Sequence, residues 1–267
     1  MTQLPKPSAL PPSSNPNTTN TTNSQDHEQQ HHDQTAHKDA VSSSSASATA
    51  AFPNPTLNLR IANLAHPGSS LFLSSTNPSI TIPRAINNLL RLLYNSPSDP
   101  STHPPPTSSV TLILEDFSGV AYTVGNSSDN NVKEIHFSQS YISHIDRSRL
   151  ANEIDGVLTH ELVHCFQYNG QGKAPGGLIE GIADWVRLRC GLAPPHWKQE
   201  VKDNWDAGYQ HTAYFLDYLE RRFGNGTVRR INENLRVSRY DERSFWLQLF
   251  AQDVKSLFAD YTRTVRQ

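Results

Sequence analysis

The amino-acid sequence predicts an α+β fold, a small mixed β-sheet followed by a mostly helical half. Three observations predict it. Apolar runs of strand length, some alternating with polar residues, cluster ahead of residue 140. Beyond residue 150, apolar side chains recur every three or four positions, the spacing of helices that bury one face. Strands first and helices after is the order of α+β architectures, not of alternating α/β ones.

Residues 1–54 stand apart from this pattern. They are Ser, Thr, Asn, Gln, His and Pro, with Met1, Leu4, Leu10, Val41 and Phe52 as the larger apolar residues. Such a stretch buries too little apolar surface to offset the entropy of ordering its backbone, so it is expected to be a disordered tail. His27, His31, His32 and His37 could bind metal weakly there, with a plain solvated tail as the alternative. No apolar run of seven or more marks a signal peptide, which points to a cytoplasmic or non-classically secreted protein. The remaining segment, 55–267, is long enough for one substantial core. No stretch approaches the ~20 apolar residues of a membrane span, so no membrane partner is expected. The net charge of −2 is accounted for by the tail, where Lys6 and Lys38 face Asp26, Glu28, Asp33 and Asp39. The folded part is then neutral, its arginine clusters balanced by nearby acids, and no nucleic-acid partner is expected. The chain is expected to be a monomer.

Taken in order, residues 56–62 alternate Leu57, Leu59 and Ile61 with polar partners and predict a strand. Residues 82–94 predict an amphipathic helix with Pro83 in its first turn. A Ser/Pro/Thr-rich loop follows over 95–109, kept extended by Pro104, Pro105 and Pro106. Residues 110–115 (V-T-L-I-L-E), 120–124 and 133–137 predict three more strands, and 141–149 a connector. A long helix to about residue 168 comes next, capped by Ser148 or Asn152, and a second over 178–189 is stopped by Pro194-Pro195. Between them, Gly170, Gly172, Gly176 and Gly177 allow a tight reversal that folds the second helix back on the first. Residues 209–223, 228–235 and 244–263 predict three packing helices, while Trp197 and Trp205 are candidate cleft walls.

The chemistry concentrates on the two central helices. His160, Glu161 and His164 form H-E-x-x-H within an apolar helical pattern built from Ile154, Val157, Leu158, Leu162, Val163 and Phe166. With twelve His and ten Glu in the chain, random order would give this motif about 0.02 times, so chance is a poor account of it. On a helix, positions i and i+4 share a face, so both imidazoles can reach one metal ion with Glu161 beside its open position. That arrangement serves a zinc-bound water and its general base. The alternative is an ordinary amphipathic helix that happens to carry two histidines and a glutamate. Catalytic zinc takes three protein ligands, and Gly170 occupies the place where a third histidine would suit a metzincin. Glu180 is the better third ligand. Asp184, one turn on, could accept the free ring N–H of a ligand histidine. A solvated helix face is the alternative for that pair. Gln167, seven residues past His160, shares its face and could support a ligand. Cys165 and Cys190 are too few for a disulfide framework and are expected as small buried residues; a single bond between them is the alternative.

H-E-L-V-H-C-F-Q-Y-N-G, followed by G-G-L-I-E-G-I-A-D-W-V-R-L-R-C-G-L-A-P-P-H-W, resembles the basic secretory protein family of plants and fungi. These are zinc peptidases of the gluzincin type, with H-E-x-x-H plus a downstream glutamate. K-E-I-H-F-S-Q-S-Y-I and G-Y-Q-H-T-A-Y-F-L-D-Y-L-E also resemble family segments, so the likeness covers roughly residues 55–262. It implies a zincin-like fold with His160, His164 and Glu180 as Zn2+ ligands and Glu161 as catalytic base. It also implies a peptide or protein substrate and an extracellular setting. Two departures stand against a full transfer: a sequence pI near 6.6 and the missing secretory signal. Tyr209, in one of the matching segments, is the first candidate to stabilise the oxyanion, with His211 and His196 after it; a purely structural role is the alternative for each. In zincins an edge strand lines the substrate cleft, and residues 133–137 are the choice here. A rival function is a catalytically inactive zinc-containing binding or defence protein; another is a hydrolase of non-peptide amides.

Overall fold

The computed structural model describes Phe52 and residues 54–266. The expected disordered tail, apart from Phe52 and Asn54, lies outside the described residues, as does the weak metal site considered for its histidines. Within the described residues the architecture is α+β, as the segment order predicts.

Strand β1 (Thr56–Ile61) leads through α1 (Pro67–Ser75) and α2 (Pro78–Leu93) to β2 (Ser109–Glu115). Strands β3 (Ala121–Gly125) and β4 (Val132–Ser138) complete a four-stranded sheet of order β1-β2-β4-β3. β1, β2 and β4 run parallel, and β3 is antiparallel to β4. The expected edge strand, 133–137, is therefore interior, and β3 is the edge next to the long central helix. β4 is the last strand before the long helix in sequence, yet β3 holds the edge, and Glu134 and His136 alternate with β4's apolar residues. Those two side chains face the sheet's outer side, where His136 Nδ1 lies 2.6 Å from Glu115 Oε1 and Tyr122 stacks on the His136 ring at 4.5 Å. The opposite side presents Val110, Leu112 and Leu114 of β2 with Ile135 and Phe137 of β4 to the core.

α1 went unread in the sequence, since Pro67-Gly68-Ser69-Ser70 resembles a turn. His66 caps it by accepting from the Gly68 N–H at 3.1 Å. α2 begins at Pro78, four residues before the expected start, because Asn77 accepts the Ser79 N–H at 3.2 Å and Pro78 supplies a preset φ. Pro83 is thus inside the helix, forgoing one backbone hydrogen bond. The apolar stripe of Ile82, Ala85, Ile86, Leu89, Leu90 and Leu93 holds the helix together across it.

A short helix, α3 (Gln139–His144), occupies much of the expected connector, and α4 (Leu150–Phe166) follows. α4 is enclosed on nearly every side, packed against the sheet, α2 and α5 (Gly176–Arg189). Its N-cap is Arg149 without a side-chain bond, so neither Ser148 nor Asn152 caps it; Ser148 instead donates to Asp146. At the other end, Thr107 Oγ1 donates to the Cys165 carbonyl at 2.7 Å and the Tyr94 hydroxyl to that of Phe166. Side chains from two other segments thereby satisfy carbonyls that the helix cannot.

α5 stops before the two prolines. Gly191, at φ 72°, lets its N–H reach the Leu188 carbonyl (3.0 Å) and that of Leu192 reach Arg187 (3.1 Å), a left-handed helix stop. Gly177 and Gly181 give α5 a face without side chains. A Cβ on Gly177 would lie 1.8 Å from the Asp206 carbonyl oxygen, and one on Gly181 2.3 Å from Thr212 Cγ2. The turn ahead of α6 (Tyr209–Phe223) therefore touches α5 at backbone distance.

The helical half continues with α7 (Thr227–Val237), α8 (Glu242–Phe250) and α9 (Val254–Val265). Residues 244–263 are two helices and not one. Ala251 adopts φ 54°, and Asp253 caps α9 by accepting from Ser256 N–H at 2.9 Å. Trp205 is 6% exposed and packs on Phe215 and Trp246, so it is core and not a cleft wall. Trp197 instead lies beneath the Arg187 guanidinium, 5.3 Å from its ring centre. No described helix is long and apolar enough to cross a membrane.

α4 and α5 are tied by a buried ion pair. Arg187 Nη2 lies 3.0 Å from Glu153 Oε1, and the Tyr141 hydroxyl donates to the same oxygen at 3.0 Å. Removing one partner of such a pair leaves the other charged and buried. Glu153→Ala is accordingly expected to lower the unfolding free energy by about 3–5 kcal/mol in urea titrations. Arg84→Ala, which breaks the more exposed pair with Asp155, should cost under about 1 kcal/mol.

Candidate metal centre

α4 sets His160 and His164 one turn apart on a face turned toward α5, and α5 answers with Glu180 and Asp184, again one turn apart. His160 Nε2 lies 3.1 Å from His164 Nε2 and 3.1 Å from Glu180 Oε2; His164 Nε2 lies 3.7 Å from the same oxygen. The two rings meet edge to face, with centroids 4.8 Å apart. Three donor atoms from two helices thus converge on one point. Ligands about 2.0–2.1 Å from a tetrahedral ion lie about 3.3 Å from one another. The observed spacings bracket that value, and two imidazoles with a carboxylate are a donor set that suits a first-row divalent metal. The residues present fit a metal ion, and among the described residues no fourth His, Cys, Asp or Glu joins them.

Each imidazole is also held from behind. Asp184, 3% exposed, places Oδ1 2.6 Å from His160 Nδ1, in the supporting position that its spacing predicts. His164 Nδ1 lies 2.7 Å from the Gln167 amide. With the Nδ1–H of His160 given to Asp184, Nε2 is the nitrogen of that ring left to a metal. Burial opposes charge on His160, yet Asp184 and Glu180 outweigh it and raise its pKa well above the ordinary histidine range. Burial likewise opposes ionisation of Glu180, but hydrogen bonds with His160 and His164 hold its pKa far below the usual carboxylate range. Both shifts have one cause: two carboxylates and two imidazoles meet at hydrogen-bond distance out of water.

Glu161, 5% exposed, turns toward the sheet. Its Oε2 accepts from Thr123 Oγ1 at 2.7 Å, and its main-chain carbonyl lies 3.0 Å from the same hydroxyl. Nothing in the sequence singles out Thr123: alternation with Val120, Tyr122 and Val124 puts it on the polar face of the strand, whereas it faces the core opposite Ile135. Tyr209 opens α6 at φ 47°, a left-handed backbone for a bulky residue, and its ring is nearly parallel to that of His160 at 6.3 Å. Its pKa is pushed up to about 12, first by burial and then by Glu180, Asp184 and Glu161. His211 turns away toward the Glu200 carbonyl (3.4 Å), and His196 is exposed; neither joins the triad. Cys165 is buried with its thiol pKa raised by burial, Cys190 is half-buried, and both are free.

The class these observations define is an α+β protein whose adjacent helices bring two histidines and a carboxylate together as a candidate metal site. The model of a family described as "Peptidase of plants and bacteria" matches residues 54–261, and the chain belongs to that family. It is the basic secretory protein family, here extending to bacteria where the sequence resemblance names plants and fungi. Searches of curated proteins and of solved structures gave no match.

If these donors hold the ion, Glu180→Ala should reduce bound metal from one equivalent to well below it after dialysis, read by elemental analysis. Asp184→Asn should keep the metal but weaken it about 10–100-fold in chelator competition.

Proposed function

We propose that this chain is a zinc-dependent metallopeptidase that hydrolyses peptide bonds with Glu161 as general base. What supports it above all is the convergence of His160, His164 and Glu180 in a member of a peptidase family, with the Glu161 carboxylate held one residue from the first ligand. Among the described residues three donors converge, not four, which favours an open site over the closed one of a structural zinc, and so an enzyme over an inactive binding or defence protein.

Zinc held by these three residues would supply a Lewis acid that polarises the scissile carbonyl and acidifies a water. Glu161 takes the proton of the attacking water and delivers it to the leaving amine. The Tyr209 hydroxyl donates a hydrogen bond to the oxyanion that develops on the carbonyl carbon. Edge strand β3 receives the substrate. Ser138 N–H donates to the Val120 carbonyl and Asn126 N–H to that of Val132, so residues 120, 122, 124 and 126 exchange bonds with β4. Ala121, Thr123 and Gly125 turn their main-chain groups outward, ready to pair with an extended peptide.

Glu161→Ala should retain one equivalent of zinc while hydrolysis of denatured casein falls about 10²–10⁴-fold; activity close to wild type would rule out the base. Tyr209→Phe should lower kcat about 10²–10³-fold. Because burial and the surrounding carboxylates raise the Tyr209 pKa, the phenol stays a protonated donor, and that loss should be constant between pH 6 and 9. A loss that fades within this range in a pH–rate profile would remove Tyr209 from the oxyanion.

A further inference from the structure

Thr123 occupies a position where packing alone calls for an apolar residue. Its side chain points from β3 into the core-facing layer, opposite Ile135 of β4, and the residue is 8% exposed. Valine has the same shape, and a hydroxyl buried without a partner is costly. The hydroxyl has a partner: it reaches both the carboxylate Oε2 of Glu161 at 2.7 Å and the Glu161 main-chain oxygen at 3.0 Å. Two contacts to one residue pin the carboxylate against its own helix. Thr123 is itself stiff, because a β-branched side chain has few rotamers on a strand. A glutamate side chain, by contrast, has three rotatable bonds to fix before it can act.

We infer that Thr123 is the positioning residue for Glu161, holding Oε2 so that Oε1 is the oxygen that exchanges protons with water and leaving group. This rests on the peptidase reading above. The proton account is then closed. The water O–H bond breaks as its oxygen bonds to the carbonyl carbon, and the proton goes to Oε1. The C–N bond breaks as the same proton passes from Oε1 to the amine. Oε2 stays bound to the Thr123 hydroxyl throughout. The same residue offers its outward main-chain groups to the peptide, so one position on β3 aligns both substrate and base.

The test uses the full chain loaded with zinc and a synthetic peptide that spans a casein bond the wild type cleaves. Thr123→Val should lower kcat about 10–100-fold, the scale of a small misplacement of a catalytic group. KM should stay within about twofold and zinc at one equivalent, because neither peptide pairing nor the metal donors are touched. Thr123→Ser should recover most of kcat, and Thr123→Ala, which differs from it only by the hydroxyl, should not; this second pair serves if the valine variant folds poorly. In urea unfolding of the metal-free protein, Thr123→Val should lower the midpoint in the wild-type background and far less in a Glu161→Ala background. Equal kcat for Thr123→Val and wild type overturns the assignment while Glu161→Ala still silences the enzyme. Equal loss for the serine and alanine variants, or equal midpoint shifts in both backgrounds, overturns it as well. A zinc-loaded wild type that cleaves nothing beyond Glu161→Ala sinks the peptidase reading and this inference together, an outcome distinct from the others.

Discussion

Three lone-pair donors cannot sit 3.1–3.7 Å apart at no cost unless protons or a cation lie between them. The site must therefore be held by what surrounds it, and that comes down to keeping α4 and α5 at one separation and one rotation. Both helices use the same device, paired groups one turn apart. Along α4 the pair is His160 and His164, both candidate metal donors; along α5 it is the candidate donor Glu180 and Asp184, which holds His160. The Asp184–His160 contact, at 2.6 Å, then serves twice, orienting a ring and locking the two helices in register.

Further contacts guard that register at both ends. The buried Arg187–Glu153 pair, with Tyr141 on the same carboxylate oxygen, ties the last turns of α5 to the first turns of α4. Near the start of α5, the bare face of Gly177 and Gly181 lets the turn before α6 approach as backbone on backbone. There Thr212 takes the Gly208 N–H (2.9 Å) and gives its own proton to the Trp205 carbonyl (3.0 Å). This fixes the turn from which Tyr209 projects, and it accounts for a bulky residue held at φ 47° beside His160.

Much of the metal centre was legible because it is local. H-E-x-x-H and E-x-x-x-D are each one helical turn, and helical periodicity on either side says which residues share a face. The glycines between them announce the reversal. What could not be read is what depends on partners far along the chain. Strand order is one such property: β4 is the last strand before the long helix in sequence, yet β3 holds the edge, and Glu115 and Tyr122 arrive from other strands to pair with His136. The break between α8 and α9 is another, since Ala251 takes a left-handed φ with no glycine to announce it; only the Asp253 cap was there to be seen. Trp205 resembles a cleft wall in the sequence because an irregular segment hides its burial among Phe215 and Trp246. The hydroxyl of Thr123, 38 residues from Glu161, belongs with these non-local features.

The division of labour across the core follows from the same geometry. The sheet half supplies the edge strand and the grip on Glu161. The helical half supplies Glu180, Asp184 and Tyr209. α4 lies between them and carries the residues that both halves must address, which is why it is buried on nearly every side instead of along one stripe. A helix packed all round cannot shift to suit one neighbour without disturbing the other, since close-packed interiors transmit displacement. The hold of β3 on Glu161 and the placing of Glu180 by α5 are then two constraints on one rigid body. Neither half could drift by the fraction of an ångström that chemistry would notice without the other registering the change.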